Sequence, residues 1–173
     1  LIAGGVDALL IETCQDILQT KCAVVACTDA MQEAEAEIPI ICTFTVETTG
    51  TMLVGTETLA AIVALDAFPQ VKAIGMNCAT GPQEMSEHVR VLSNHSTRPI
   101  LIQPNAGLPE LVDGKPHFPL SPKEMAKWLV EFVESDGVAM VGGCCGTTPE
   151  HLEAVAEAMK GRTPKARSPR LEP

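Results

Sequence analysis

An α/β fold with a parallel sheet is predicted by three observations. Short apolar runs alternate five times with helical segments, the pattern of strand-helix units joined by right-handed crossovers. Gly142-Gly143-Cys144-Cys145-Gly146 stands between one such run and a helix start, at the carboxyl end of the sheet, where parallel α/β folds place their chemistry. The 173 residues suffice for one sizeable core but not for a second full domain. An open doubly wound sheet and part of an eight-stranded barrel both fit, and periodicity does not choose between them.

The elements follow in order. Val6 to Ile11 reads as the first strand and Glu12-Thr13-Cys14-Gln15-Asp16 as its loop. Ile17 to about Met31 is a helix with Leu18, Cys22, Val25 and Thr28 on its inner face. Pro39 to Thr45 is the second strand; after a polar loop, Thr56 is expected to cap a helix ending near Phe68 and Pro69. Val71 to Met76 is the third strand, Asn77-Cys78-Ala79-Thr80-Gly81 its loop, and Pro82 to about Leu92 its helix. Pro99 to Gln103 makes the fourth strand, followed by a long loop from Pro104 to Leu120. Ser121-Pro122-Lys123-Glu124 matches a capping box with Pro at the first helical position, opening a helix to about Ser135. Val138 to Val141 is the fifth strand, and the last helix runs from Pro149 to Lys160, stopped by Gly161. Residues 1–161 thus form the folded body. Residues 162–173, with four basic residues and three prolines, read as a linker toward a following module. The chain opens at Leu1 and runs directly into a strand pattern, so a missing N-terminal part is expected.

Charge and composition exclude several functions. A formal net charge of -10 argues against nucleic acid or an anionic membrane as partner, because both demand a basic face. No apolar run is long enough to span a bilayer and no secretory signal is seen, so the seven cysteines are expected to be free or metal-bound in a reducing cytoplasm. With one Trp and no Tyr, the core must be aliphatic. The glycine-rich fingerprints of dinucleotide and nucleoside triphosphate sites are absent.

Adjacent cysteines flanked by glycines present two soft ligands where the backbone can approach closely, and a metal held there needs at least one more. Two packed thiols are the competing reading, whereas a disulfide between neighbours would be strained. Cys22 and Cys27 fall in a helix and Cys42 in a strand, where packed thiols are the default. Cys14 and Cys78 lie at strand ends on the same rim as Cys144 and Cys145. Cys78 is favoured because a small-residue loop exposes it near a helix N-terminus, which favours a thiolate. His88 and His151 on helices, His117 in the long loop and His95 in a turn read as solvated or structural. Three thiolates with one open position is the arrangement of a catalytic zinc site, and sulfur ligands select zinc over magnesium or calcium.

Gly75-Met76-Asn77-Cys78 together with Gly142-Gly143-Cys144-Cys145-Gly146 resembles the paired zinc signatures of the homocysteine S-methyltransferase family. The resemblance runs from Leu1 to about Lys160. It implies a (β/α)8 TIM-type barrel of which this chain supplies strands four to eight. Gln103-Pro104-Asn105-Ala106-Gly107 and the ending Arg170-Leu171-Glu172-Pro173 are similar to the cobalamin-dependent branch, in which a folate-binding module follows. Thr13 stands where betaine-dependent relatives carry a tyrosine.

The resemblance implies zinc held by Cys78, Cys144 and Cys145, with Asn105 as a fourth ligand in the absence of substrate and Glu12 as partner of the substrate ammonium. Homocysteine is then the substrate, and its zinc-activated thiolate, not a protein nucleophile, attacks a methyl group from methylcobalamin bound by another module of the same polypeptide. Rim pairing is the plain alternative for Glu12 and a turn role for Asn105. Methylation from S-methylmethionine or betaine is the alternative donor chemistry. A zinc-stabilised or redox-sensing scaffold without catalysis is the alternative of another class.

Overall fold

The structure is a computed structural model, and it describes residues 1–170; of the linker-like ending, Leu171 to Pro173 lie outside the described residues. Along the chain run β1 (Leu9–Cys14), α1 (Ile17–Glu33), β2 (Ile40–Phe44), α2 (Thr58–Asp66), β3 (Val71–Asn77), α3 (Pro82–His95) and β4 (Ile100–Gln103). A small hairpin follows, β5 (Glu110–Val112) and β6 (Lys115–His117), and then α4 (Pro122–Asp136), β7 (Met140–Val141) and α5 (Pro149–Met159).

Strands β1, β2, β3, β4 and β7 form one parallel sheet in that order. A doubly wound sheet reverses its order at a switch point. Here there is no reversal, so the five strands follow one another as the staves of a barrel wall do.

The core is aliphatic, as the composition requires. Ile40, Phe44, Ile74, Met76, Ile100 and Ile102 of the strands are sealed beneath Ile62, Leu65, Leu92, Met125 and Phe132 of the helices. Each such side chain contributes about 1.5–3 kcal/mol through burial. Gly75 is fixed by the sheet itself. It pairs with Leu101, and a Cβ there would run into the Leu101 carbonyl.

The helix α4 begins as its sequence dictates. Ser121 accepts from the Glu124 N–H at 3.4 Å and Glu124 reaches back to the Ser121 N–H at 3.0 Å. Elsewhere the structure corrects the sequence reading. The first strand lies further along, so Glu12, Thr13 and Cys14 belong to β1; Thr13 takes a left-handed backbone (φ 57°) and the pairing register with β2 shifts there. The helix α2 starts at Thr58 rather than after Thr56, because the Thr56 carbonyl is used by the Met52 N–H in the preceding turn.

In α1 the buried residues are Thr20, Val24 and Met31, while Leu18 and Val25 are 64% and 49% exposed. The helix carries apolar residues on every side, so its pattern does not point to one face. His95 ends α3 rather than following it, and the long loop contains the β5-β6 hairpin.

The run Arg162–Arg170 lies against the body at the amino ends of the strands. The Lys165 N–H donates to Val133 O at 3.0 Å and the Arg170 N–H to Asn94 O at 2.7 Å. Arg167 spreads its guanidinium over the carbonyls of Ser96 (2.8 Å), Arg98 (2.5 Å) and Ser93 (3.4 Å).

Candidate metal centre

Two loops at the carboxyl ends of β3 and β7 build the site. After β3 the chain turns through two left-handed residues, Cys78 (φ 64°) and Ala79 (φ 60°), and the Cys78 N–H is held by Gln103 O at 3.1 Å. Non-glycine residues in this region cost of order 1–3 kcal/mol and persist where the surroundings over-determine them, commonly at functional sites.

The second loop is pinned from beside it. The Cys144 N–H donates to Pro104 O at 2.8 Å, the Cys145 N–H to Asn105 Oδ1 at 3.1 Å, and the Ala106 N–H returns to Cys145 O at 2.9 Å. Gly146 closes the loop at φ 76°, where any side chain would collide with Phe118. His151 fastens the helix that follows: Nδ1 accepts from the Thr148 N–H at 3.3 Å and hydroxyl at 2.9 Å, and Nε2 meets Leu120 O at 2.8 Å. Those partners make the Nε2 the protonated nitrogen, since a carbonyl only accepts.

These restraints bring the Sγ atoms of Cys78, Cys144 and Cys145 within 4.8 Å of one another. Cys78 and Cys145 are 3.6 Å apart. Four sulfurs around zinc at about 2.3 Å define a tetrahedron with edges of about 3.8 Å, so this spacing suits a common ion. Burial, with the neighbouring thiols, pushes Cys144 up to about 12, although the Asn77 amide opposes it. The hydrogen bond with Cys78, then burial, raises Cys145. A divalent cation at the centre reverses the penalty that this crowding places on each thiolate. Among the described residues, no fourth histidine, cysteine, aspartate or glutamate joins the group.

The other cysteines stand apart. Cys42 is fully buried and pushed up to about 12, chiefly by burial. Cys14 is buried at the end of β1 in the core cluster, and burial raises it too. Cys27 is half-buried, whereas Cys22, expected to be packed, is exposed because α1 buries another face. Of the histidines, His151 is buried and structural, His88 is bonded to Thr58 Oγ1 at 2.9 Å, and His117 is exposed on β6.

Asn105 is buried and its Oδ1 braces the cysteine loop. Glu12 is exposed on the same rim, at the end of β1. Asn77, which stands in the Gly75–Cys78 motif with no role assigned from the sequence, is part of this site. It ends β3 fully buried and ties β1, β2 and Cys144 together, where the sequence reading has a loop residue. Asparagine is depleted in strands, so one inside an apolar run was the available signal.

Comparison with known proteins gives the family and the fold. The profile of the family described as homocysteine S-methyltransferase matches residues 1–159. The methionine synthases of Mycobacterium leprae and Mycobacterium tuberculosis are each 51% identical over 159 residues, which is 92% of this chain and 13% of each relative's length. Among solved structures, the apo and metallated forms of the homocysteine methyltransferase MmuM from Escherichia coli superpose with a TM-score of 0.69. They are 22% identical over 91% of this chain and cover 52% and 46% of those chains, a likeness of fold. With two cysteine loops meeting at the carboxyl end of a sequential parallel sheet and a family match across nearly its whole length, the chain belongs to the homocysteine S-methyltransferase family.

Proposed function

We propose that this segment is the homocysteine-activating half-barrel of a methionine synthase, and that Cys78, Cys144 and Cys145 hold zinc. The observation that carries the reading is the convergence of three thiols from two loops within 4.8 Å. Bound there, zinc supplies Lewis acidity that keeps a substrate thiol ionised at neutral pH. The chain's own groups do the rest. The three cysteines give a sulfur-rich, electron-rich setting, and Asn105 Oδ1, which spends one lone pair on the Cys145 N–H, keeps a second with which to serve as fourth ligand until substrate arrives. Glu12, exposed on the same rim, would pair with the substrate ammonium.

Methylcobalamin, carried by another module, would be the donor: the homocysteine sulfur would take up the methyl group and the pair of the broken cobalt–carbon bond would stay on the cobalamin. Identity of 51% to methionine synthases favours this donor over S-methylmethionine or betaine. Among the described residues no fourth histidine, cysteine, aspartate or glutamate joins the three thiols, which favours catalysis over a zinc-stabilised or redox-sensing scaffold, since structural sites usually fill all four positions with such ligands. Free cysteines throughout the described residues suit a reducing cytoplasm. No helix among the described residues is long and apolar enough to cross a membrane.

Residues 1–161 are in this account a partial barrel completed by preceding strands, and 162–173 lead toward the cobalamin- and folate-binding modules. Metal titration of the intact protein tests the site: one zinc per chain is expected, and its loss in Cys78→Ser, Cys144→Ser and Cys145→Ser. Stoichiometric zinc retained by all three variants would refute it.

A further inference from the structure

Asn77 uses all four of its side-chain hydrogen-bonding positions. Its Oδ1 accepts from the Thr13 N–H at 2.9 Å and from the Thr43 hydroxyl at 2.7 Å, and its Nδ2 donates to Thr13 Oγ1 at 2.7 Å and to Cys144 Sγ at 3.7 Å. The orientation is not arbitrary. A backbone N–H can only donate, so the atom facing the Thr13 N–H must be the oxygen, and the amide nitrogen is left facing the sulfur.

Thr13 is a β-branched residue in the left-handed region, a conformation that needs external support. The carboxamide grips it from both sides, at its N–H and its hydroxyl. The same carboxamide reaches Cys144. One buried group therefore spans the strand end that carries Glu12 and one of the three thiols.

We propose that Asn77 is the positioning residue of the metal centre. It sets the direction and charge of the Cys144 sulfur through an N–H···S bond, and it locks the Glu12–Thr13 strand end in register with that sulfur. This rests on Cys78, Cys144 and Cys145 holding a metal. Hydrogen bonds of this kind orient a ligand and tune its basicity, and losing one typically lowers metal affinity about 10- to 100-fold. Asn77→Asp keeps both acceptor roles and removes both donor roles, so it separates the sulfur contact from the support of the Thr13 N–H.

The test uses the intact protein loaded with cobalt(II) and with cadmium-113. In the wild type, cadmium should show a through-hydrogen-bond coupling to an Asn77 Nδ2 proton, a readout that needs no variant to fold. Asn77→Asp should bind cobalt about 10- to 100-fold more weakly in chelator competition and shift the sulfur-to-cobalt charge-transfer band. Thr45→Val removes a buried hydroxyl that donates to Asn77 O at 3.2 Å without touching the carboxamide. It should lower the melting temperature and leave the band in place.

Cadmium bound by the three cysteines with no coupling to Asn77, or Asn77→Asp with wild-type affinity and spectrum, would overturn the inference and leave the zinc site standing. A wild type whose cysteines bind no metal would instead remove the reading beneath it.

Discussion

At the carboxyl ends of the strands, Thr13, Cys78 and Ala79 hold left-handed backbones and three thiols crowd together; at the amino ends, Arg167 lies across three carbonyls and Arg98 meets Asp66 at 3.5 Å. The amino rim spends its polar groups on closing the fold. The carboxyl rim carries Thr13, Cys78 and Ala79 in left-handed backbones beside the thiols and buries Gln103 Oε1 and Thr147 Oγ1 without a hydrogen bond among the described residues; at the amino rim Asp66 Oδ1 and Arg98 Nε likewise make none but face each other as an ion pair. One sheet supports both rims, and under the proposed function stability and chemistry fall at opposite ends of the same strands. Changes at one rim should therefore alter metal binding with modest effects on folding, and changes at the other the reverse.

The largest separation should come from the thiols. Cys144→Ser replaces a thiolate by a poor neutral ligand, and zinc affinity should fall beyond the roughly 10- to 100-fold that losing an outer hydrogen-bond partner costs, as read by chelator competition. Between the rims, Gly75→Ala drives a methyl group into the Leu101 carbonyl and should cost about 3 kcal/mol or more, measured by denaturant unfolding. Recovery of a folded protein with unchanged stability would mean that β3 and β4 are further apart than described.

Arg167→Ala should lower stability by about 1–3 kcal/mol by leaving partly buried carbonyls without their donor, while zinc affinity stays as in the wild type. A loss of zinc in that variant would break the division between the rims. The smallest effects distinguish the remaining cysteines. Cys42→Ser should cost about 1–3 kcal/mol for a hydroxyl placed in the core, whereas the exposed Cys22→Ser should change stability by no more than about 0.5 kcal/mol.

Much of this division was legible in the sequence. The capping box at Ser121, the alternation of strands and helices, and the two cysteine motifs each express a local rule that the fold leaves intact. Cys78 could be preferred to Cys14 because a strand-end loop of small residues exposes it, and the structure buries Cys14 in the core. What stayed hidden depends on packing between distant segments. The buried face of α1 is chosen by its neighbours, since Leu18, Cys22 and Val25 offer one apolar face and Val24 and Met31 another, and only the second is buried. Asn77 reads as a loop residue until β1 and β2 are brought beside it, for its partners Thr13 and Thr43 lie 64 and 34 residues away in sequence.

Three thiolates from the carboxyl rim are proposed to hold a zinc whose fourth position is taken by homocysteine when it binds. Zinc K-edge X-ray absorption on the intact protein measures it directly. Three sulfur ligands and one lighter ligand are expected at rest, changing to four sulfurs when homocysteine is added; four protein ligands that homocysteine leaves unchanged, or fewer than three sulfurs in the resting protein, would refute this centre.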